Sequence, residues 1–459
     1  MVMNGARRWT LLATVAAGLL LITVDNTILY TALPTLTKEL GAGSSESLWI
    51  INAYPLVMAG LLLGAGTLGD RIGHRRMFLT GLVVFGAASV MAAFSPNPAT
   101  LIASRGVLAV GAAAMMPATL ALIRITFTDQ RERNMAVAVW GSVSIVGGAL
   151  GPIIGGVLLR YFWWGSVFLV NVPVVIVAFV ATLIVAPRGV PDRSQRWDLV
   201  SSVQAMAGLA GLVMAIKEAA NAETSWLVLA GSLVVAVTGF LLFARRQHRL
   251  PYPLLAFSIF RNAAFSSGVI AAGVSMFAIA GIQLATTQRF QLIAGFTPLE
   301  AGLLVAAVAA GSLPTALLGG AILHRTGLRP LISGGLAISV VGAGVTVLGL
   351  GAGVHWTAIG LALTGAGLGL PMSVASSAII GNVPVHRAGM ASSVEEVSYE
   401  FGSLTAVALL GSLLTGIAAS AGFDTGYVVV MLVAGGVLAA AAVLTRVMLG
   451  GRALASVGH

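Results

Sequence analysis

The sequence predicts an all-α integral membrane protein with fourteen transmembrane helices, and three observations carry that prediction. Hydrophobic residues make up 58% of the 459 positions and charged residues only 9%, whereas a water-soluble domain carries roughly one quarter. So few charges cannot cover a surface of this size in water, and lipid must be the solvent for most of the chain. Apolar stretches of about 20 residues, the length that crosses a bilayer as a helix, recur from end to end. The basic residues, finally, alternate between successive loops in a way that only a multi-pass topology explains. A β-barrel would show short alternating strands, which uninterrupted runs such as Ala264–Gln288 exclude.

In chain order the expected spans are 10–32, 48–69, 77–95, 99–122, 134–158, 164–186, 199–216, 225–244, 264–287, 299–323, 328–350, 355–377, 391–418 and 425–448. The first follows a charged start (Arg7, Arg8) and leads directly into further spans, so it reads as an uncleaved helix rather than a removed signal. Sorted by alternate loops, 20 of the 25 Lys and Arg fall on the side of the N-terminus. Lys38, Arg160, Lys217 and Arg289 fall on the other, and Arg105 lies within the fourth span. This is the positive-inside pattern, which places both termini in the cytoplasm. The net charge of +10 therefore reports topology and not nucleic-acid binding.

Composition also narrows the chemistry. There is no cysteine, hence no disulfide framework and no thiolate metal site. The six histidines lack metal-ligand spacing, so neither metal nor cofactor is expected. No phosphate-binding loop is present, which leaves an ion gradient or the membrane potential as the energy source. No nucleophile–base constellation points to an enzyme.

A duplication organises the chain. After the second span stands Gly66-Thr-Leu-Gly-Asp70-Arg71-Ile-Gly73-His-Arg75-Arg76; after the tenth stands Gly320-Ala-Ile-Leu-His324-Arg325-Thr-Gly327-Leu-Arg329-Pro. Arg-x-Gly-x-Arg recurs at the corresponding turn of each half. The expected domains are a six-helix bundle over 1–187, two inserted helices with basic linkers over 188–262, and a second six-helix bundle over 263–459. Two six-helix repeats around a midplane site form a transporter design.

The segment from Gly66 to Arg76 resembles the loop 2–3 signature of the major facilitator superfamily. The resemblance implies a gating charge network of Asp70, Arg71 and Arg75, which Asp129 is placed to join. In the second copy His324 replaces the acid. Gly147, Gly151-Pro152 and Gly155-Gly156 in the fifth span resemble the family's antiporter signature, attached to exporters. Physically, small residues every fourth position permit close helix packing, and Pro152 bends the helix. Leu101, Arg105 and Gly111 form a reduced version of the family's fourth-helix motif. Two readings of Arg105 stand: snorkelling toward the interface, or a part in proton transfer.

Fourteen spans, with Asp25-Asn-Thr-Ile-Leu-Tyr-Thr-Ala-Leu-Pro34, Leu48-Trp49-Ile-Ile-Asn52-Ala-Tyr54 and Trp164-Gly-Ser-Val-Phe-Leu-Val-Asn171-Val-Pro173, resemble the drug/proton antiporters of the QacA, SmvA, LfrA and EmrB kind. The resemblance covers essentially the whole chain. It implies a proton-coupled multidrug efflux antiporter in a bacterial cytoplasmic membrane. Such a protein is a monomer that uses the proton gradient, handles small lipophilic cations or drugs, and touches membrane lipids. QacA-like relatives have Asp at the position of Asn52, and asparagine cannot titrate. That implies one proton fewer, substrates of lower charge, or an engineered neutral variant.

Of the fifteen acids, eleven fall at loops or helix ends. Asp25 in the first span, and Glu395, Glu396 and Glu400 in the thirteenth, remain inside the membrane. A charged carboxylate there costs a few kcal/mol, and desolvation favours its protonated form. A lipophilic cation favours the ionised form, so cation and proton exclude one another. Glu396 and Glu400, four apart, share a helix face with β-carbons about 6 Å apart, whereas Glu395 is about 100° round. The family's helix 13 acids match all three, and its helix 1 aspartate matches Asp25. Candidate cavity residues beside them are Asn52, Tyr54, Met58, Trp140, Met276 and Tyr399, aromatic faces suiting a cation and methionines an adaptable wall. A dedicated exporter of one metabolite, lipid or antibiotic would share fold and motifs. A nutrient importer would leave the helix 5 seam unexplained.

Overall fold

Fourteen helices long and apolar enough to cross a membrane are present in the computed structural model, which describes residues 5–187, 198–219, 224–251, 253–383 and 388–450. They are α1 (Gly5–Leu40), α2 (Ser44–Ile72), α3 (His74–Ala93), α4 (Pro98–Thr126), α5 (Met135–Tyr161), α6 (Ser166–Val185), α7 (Leu199–Ala219), α8 (Trp226–Arg249), α9 (Ala263–Leu292), α10 (Pro298–Thr326), α11 (Pro330–Leu348), α12 (Val354–Ile380), α13 (Met390–Ala421) and α14 (Phe423–Gly450). No strand occurs among the described residues. Most of the linker between the sixth and seventh spans, with Asp192, lies outside the described residues, as does Glu223.

Every expected span coincides with one helix, but several helices run further than the hydropathy did. Helix α1 continues past Pro34 to Leu40 and α8 through Arg245 and Arg246 to Arg249. Hydropathy registers the lipid-buried centre of a helix, while backbone hydrogen bonding carries on into the polar interface. Two of the helix starts are capped by asparagine side chains. Asn97 accepts from the Thr100 amide at 2.9 Å ahead of α4, and Asn262 accepts from the Ala264 amide at 2.9 Å ahead of α9.

Helix α6 is interrupted at Val170, between Ser166–Leu169 and Asn171–Val185. Pro173 contributes no N–H to the Leu169 carbonyl, which weakens the ladder there. Helix α13 contains a widened turn over Val407–Gly411, just beyond its acids. Such turns inside helices frequently accompany functional sites.

The chain divides into two compact units, Met1–Met206 with Thr297–Gly302, and Ala207–Phe296 with Leu303–His459. In the first, α1 packs on α4, α5 and α6, α2 on α4, and α3 on α4 and α6. Gly81 and Gly111 bring α3 and α4 together so tightly that a β-carbon on Gly111 would stand 2.7 Å from the Phe85 amide nitrogen. In the second, α9 packs on α12, α13 and α14, and α11 on α12 and α14. Gly273 and Gly402 set the approach of α9 to α13. Large apolar side chains such as Ile176, Val177, Val180 and Ile184 of α6, and Leu227 and Val234 of α8, point outward. Lipid is their natural solvent.

The turn glycine has positive φ in both copies. Gly73 has φ +95° and Gly327 φ +75°, and each amide closes its helix by donating to the carbonyl four residues back, Gly69 and Leu323, at 2.9 Å. An L side chain is strained at such angles. Gly73→Ala and Gly327→Ala are each expected to cost about 1–3 kcal/mol, read as a lowered thermal midpoint of the purified protein. An unchanged midpoint would contradict the strain argument.

Candidate functional site

Helix α1 is buried along most of its length, and Asp25 within it is fully enclosed. The glycine seam of α5 makes that possible. Gly147 and Gly151 face Thr23 and Thr27 of α1, and a β-carbon on Gly155 would stand 2.7 Å from Ile28 Cγ1. The Thr27 hydroxyl also reaches the Gly147 carbonyl at 3.4 Å. Pro152 and Gly156 are buried in the same helix. The antiporter-like motif therefore packs against the helix that carries Asp25.

Four other helices supply polar contacts there. Asp25 Oδ2 forms an ion pair with Arg105 Nη1 of α4, and both side chains are 0% exposed. Asp25 Oδ1 accepts from Asn171 Nδ2 of α6 at 2.8 Å, and the same amide nitrogen reaches Ser89 Oγ of α3 at 3.3 Å. Arg105 Nε donates to the Ile50 carbonyl of α2 at 3.3 Å, and its Cζ lies 4.6 Å from the centre of the Tyr54 ring. Two opposite charges can stay ionised in such a dry place only because each satisfies the other and further hydrogen bonds complete the set. Arg105 does not snorkel: it is wholly buried and paired, which removes the first of the two readings the sequence left open. Its Nη2 has no partner among the described residues.

The remaining candidates of this unit differ in their surroundings. Asn52 is fully buried, and both its side-chain polar atoms lack a partner among the described residues. Met58 is fully buried. Trp140 is buried and donates through Nε1 to Thr119 Oγ1 of α4 at 3.1 Å. Tyr54 lends its ring face to Arg105.

In the second unit the three acids of α13 are separated by their azimuth. Glu395 is buried and accepts from Ser376 Oγ of α12 at 2.5 Å and from Tyr399 Oη at 3.2 Å. Glu400 is buried, while Glu396 and Tyr399 are half-buried. Glu396 and Glu400 are one helical turn apart and stand away from the face that Gly402 presses against Gly273 of α9. Met276 of α9 is half-buried.

At the α2–α3 turn, Asp70 pairs with His74 at 3.0 Å, and Arg75 donates to the Leu183 carbonyl of α6 at 2.7 Å. Arg71 is exposed, and a β-carbon on Gly66 would meet open space. Asp129 accepts from the Glu132 amide at 3.0 Å at the start of α5. The sequence did not single out the neighbouring pair Arg8–Glu132, at 2.5 Å, which ties α1 to that same start. Nor did it assign roles to Ser89, Asn171 and Ser376. Asn171 alone carried a signal, as the polar residue ahead of Pro173 in an apolar span.

A model of the Major Facilitator Superfamily matches residues 15–394. The chain belongs to the major facilitator superfamily. Among its relatives this facilitator is 38% identical to the methyl viologen resistance protein SmvA of Salmonella typhimurium, over 89% of the chain and 83% of that protein. It is 35% identical to the multidrug efflux pump LfrA of Mycolicibacterium smegmatis, over 89% of the chain and 81% of that protein. It is also 32% identical to the puromycin resistance protein of Streptomyces alboniger, over 97% of the chain and 92% of that protein. The facilitator assignment agrees with an all-helical chain of fourteen membrane-length helices.

Proposed function

We propose that this facilitator is a proton-coupled multidrug antiporter that exports lipophilic, often cationic compounds, such as quaternary ammonium biocides and dyes, from the cytoplasm or inner leaflet. The observation that carries the reading is the group of acids within α13, Glu395, Glu396 and Glu400, in a chain related to resistance and multidrug efflux proteins. Glu396 and Glu400 are the groups to which a cation and protons bind in alternation. A carboxyl in lipid favours its neutral form, and an arriving cation favours the ionised one, so each occupant displaces the other. Asp25 with Arg105 serves the same cycle from the first unit. The turn carrying Asp70, Arg71 and Arg75, with Asp129, serves gating at the cytoplasmic end.

The protein works as a monomer in a bacterial inner membrane, both termini cytoplasmic, as the distribution of its basic residues supports. The two halves are six-helix bundles joined through two inserted helices, and the cycle requires no cofactor. Asn52, which cannot titrate, lowers the charge the site handles. In energised vesicles ethidium is expected to move against its gradient, and an uncoupler to abolish the movement. Dye movement that ignores the proton gradient, or no movement at all, would sink the reading.

A second reading, a dedicated exporter of one compound, draws support from two relatives named for single antibiotics. One is the puromycin resistance protein; the other is the tetracenomycin C resistance and export protein of Streptomyces glaucescens. Transport of one among many chemically unrelated dyes and antibiotics would favour it over the multidrug reading.

A further inference from the structure

Asp25 has two carboxylate oxygens, and they are held by partners of different kinds. Arg105 on Oδ2 is a permanent cation, since a guanidinium does not lose its proton in proteins. Asn171 on Oδ1, at 2.8 Å, is neutral and carries both a donor and an acceptor on one rotatable amide. The Ser89 hydroxyl, 3.3 Å from the same amide nitrogen, is likewise able to donate or accept. All three side chains are 1% exposed or less. Among the described residues, the ionisable groups reaching this place are Arg105 from α4, directly, and Tyr54 from α2, through the face of its ring on Arg105. Helices α3, α5 and α6 bring Ser89, Gly147 with Gly151, and Asn171.

We propose that Asn171 is a positioning residue that keeps Asp25 hydrogen-bonded in both of its protonation states by turning its amide. In the state seen here, Nδ2 donates to the Asp25 carboxylate while Ser89 Oγ accepts. When Asp25 takes up one proton on Oδ1, a half-turn of the amide presents its oxygen instead. That oxygen then accepts from the Asp25 O–H and from the Ser89 O–H, and neither Asn171 nor Ser89 gains or loses a proton. Both protonation states of Asp25 thereby remain hydrogen-bonded without water, and the Arg105 contact on Oδ2 is kept. Asn171 opens the second segment of α6, directly after the interruption at Val170. The amide therefore couples the charge of Asp25 to the part of α6 where the helix ladder is weakest.

The inference rests on the proton-coupled reading, and its test separates the two. Infrared difference titration of the protein in lipid follows the protonated-carboxyl band, assigned by its loss in Asp25→Asn. Proton flux with dye is measured on the same vesicles and reports the proposed function by itself. In wild type the carboxyl band is expected to rise together with a shift of an amide carbonyl band, as the Asn171 oxygen changes partners. Asn171→Leu is nearly isosteric and is expected to remove that amide shift while the carboxyl band remains. Asn171→Ala gives the same loss, and stands in should the leucine variant not fold. A wild-type carboxyl band with no accompanying amide shift, or an amide shift that persists in the folded variant, overturns the proposal. So does a wild-type Asp25 that shows no protonation at any pH at which the protein is folded and dye-coupled flux is intact.

Discussion

Asp25→Asn should destabilise the folded protein more than Arg105→Leu, although each removes one half of the same ion pair. Breaking a buried pair leaves an uncompensated charge and costs about 3–5 kcal/mol. The two orphans are not equivalent. A lone Asp25 escapes the penalty by binding a proton and becoming neutral, whereas a lone Arg105 has no such exit. The Arg105 guanidinium is fully enclosed, touches the Tyr54 ring and already has one nitrogen without a partner. Asp25→Asn would thus strand a cation in a site with no carboxylate to offset it.

The double variant Asp25→Asn with Arg105→Gln removes both charges but keeps polar side chains in both places. It is expected to regain most of the lost stability without regaining any proton-coupled transport through this site. Thermal unfolding in detergent, with vesicle flux alongside, reads all three variants. Equal destabilisation by the two single substitutions would overturn the asymmetry, and a double variant as unstable as the sum of the singles would show that the two charges are not coupled.

The pairing that drives this prediction was invisible in the sequence, and the reason is geometric. Hydropathy and charge sorting measure how deep a residue lies along a helix; they say nothing about which neighbour it turns toward. Depth was legible. It gave the fourteen spans and the four intramembrane acids. Local backbone demands were legible too, because Gly73 and Gly327 stand in equivalent motifs and both adopt positive φ. The small-residue spacing of Gly147, Gly151 and Gly155 likewise announced a close contact, though not that its partner would be the helix bearing Asp25. Azimuth was only partly legible. On α13 the 100° step separates Glu395 from Glu396 and Glu400, and Glu395 does have its own partners, Ser376 and Tyr399. Partners 80 and 146 residues away, as Arg105 and Asn171 are from Asp25, depend on how α1, α4 and α6 are rotated against each other. Those rotations are set by packing over whole helix faces, which no local motif encodes.

The same separation on α13 yields the second large effect: Glu395→Gln should be mild where Glu400→Gln is severe. Glu395 accepts two hydrogen bonds from hydroxyls through Oε1. A glutamine amide oxygen accepts them equally well, so Glu395→Gln keeps the α12–α13 tie and with it most of the activity. Glu395→Leu breaks that tie and is expected to lower stability, by about 1–3 kcal/mol for the unsatisfied hydroxyls. Glu400 belongs to the face that, on the proposed mechanism, meets the cation. Removing one charge from a desolvated charge pair typically costs about 2–5 kcal/mol, so Glu400→Gln should weaken binding of a monovalent dye cation by about 30-fold or more.

Proton release on dye binding discriminates further than affinity does. Wild-type protein mixed with tetraphenylphosphonium in weak buffer should acidify the solution. The double variant Glu396→Gln with Glu400→Gln should release at least one proton fewer, and Glu395→Gln should match wild type. If instead Glu395→Gln abolished release while the double variant kept it, the titrating acid would be the one held by Ser376 and Tyr399. The cation would then have to displace two hydroxyl donors from Glu395 before any charge became available to it, and α12 would be the helix that moves with coupling.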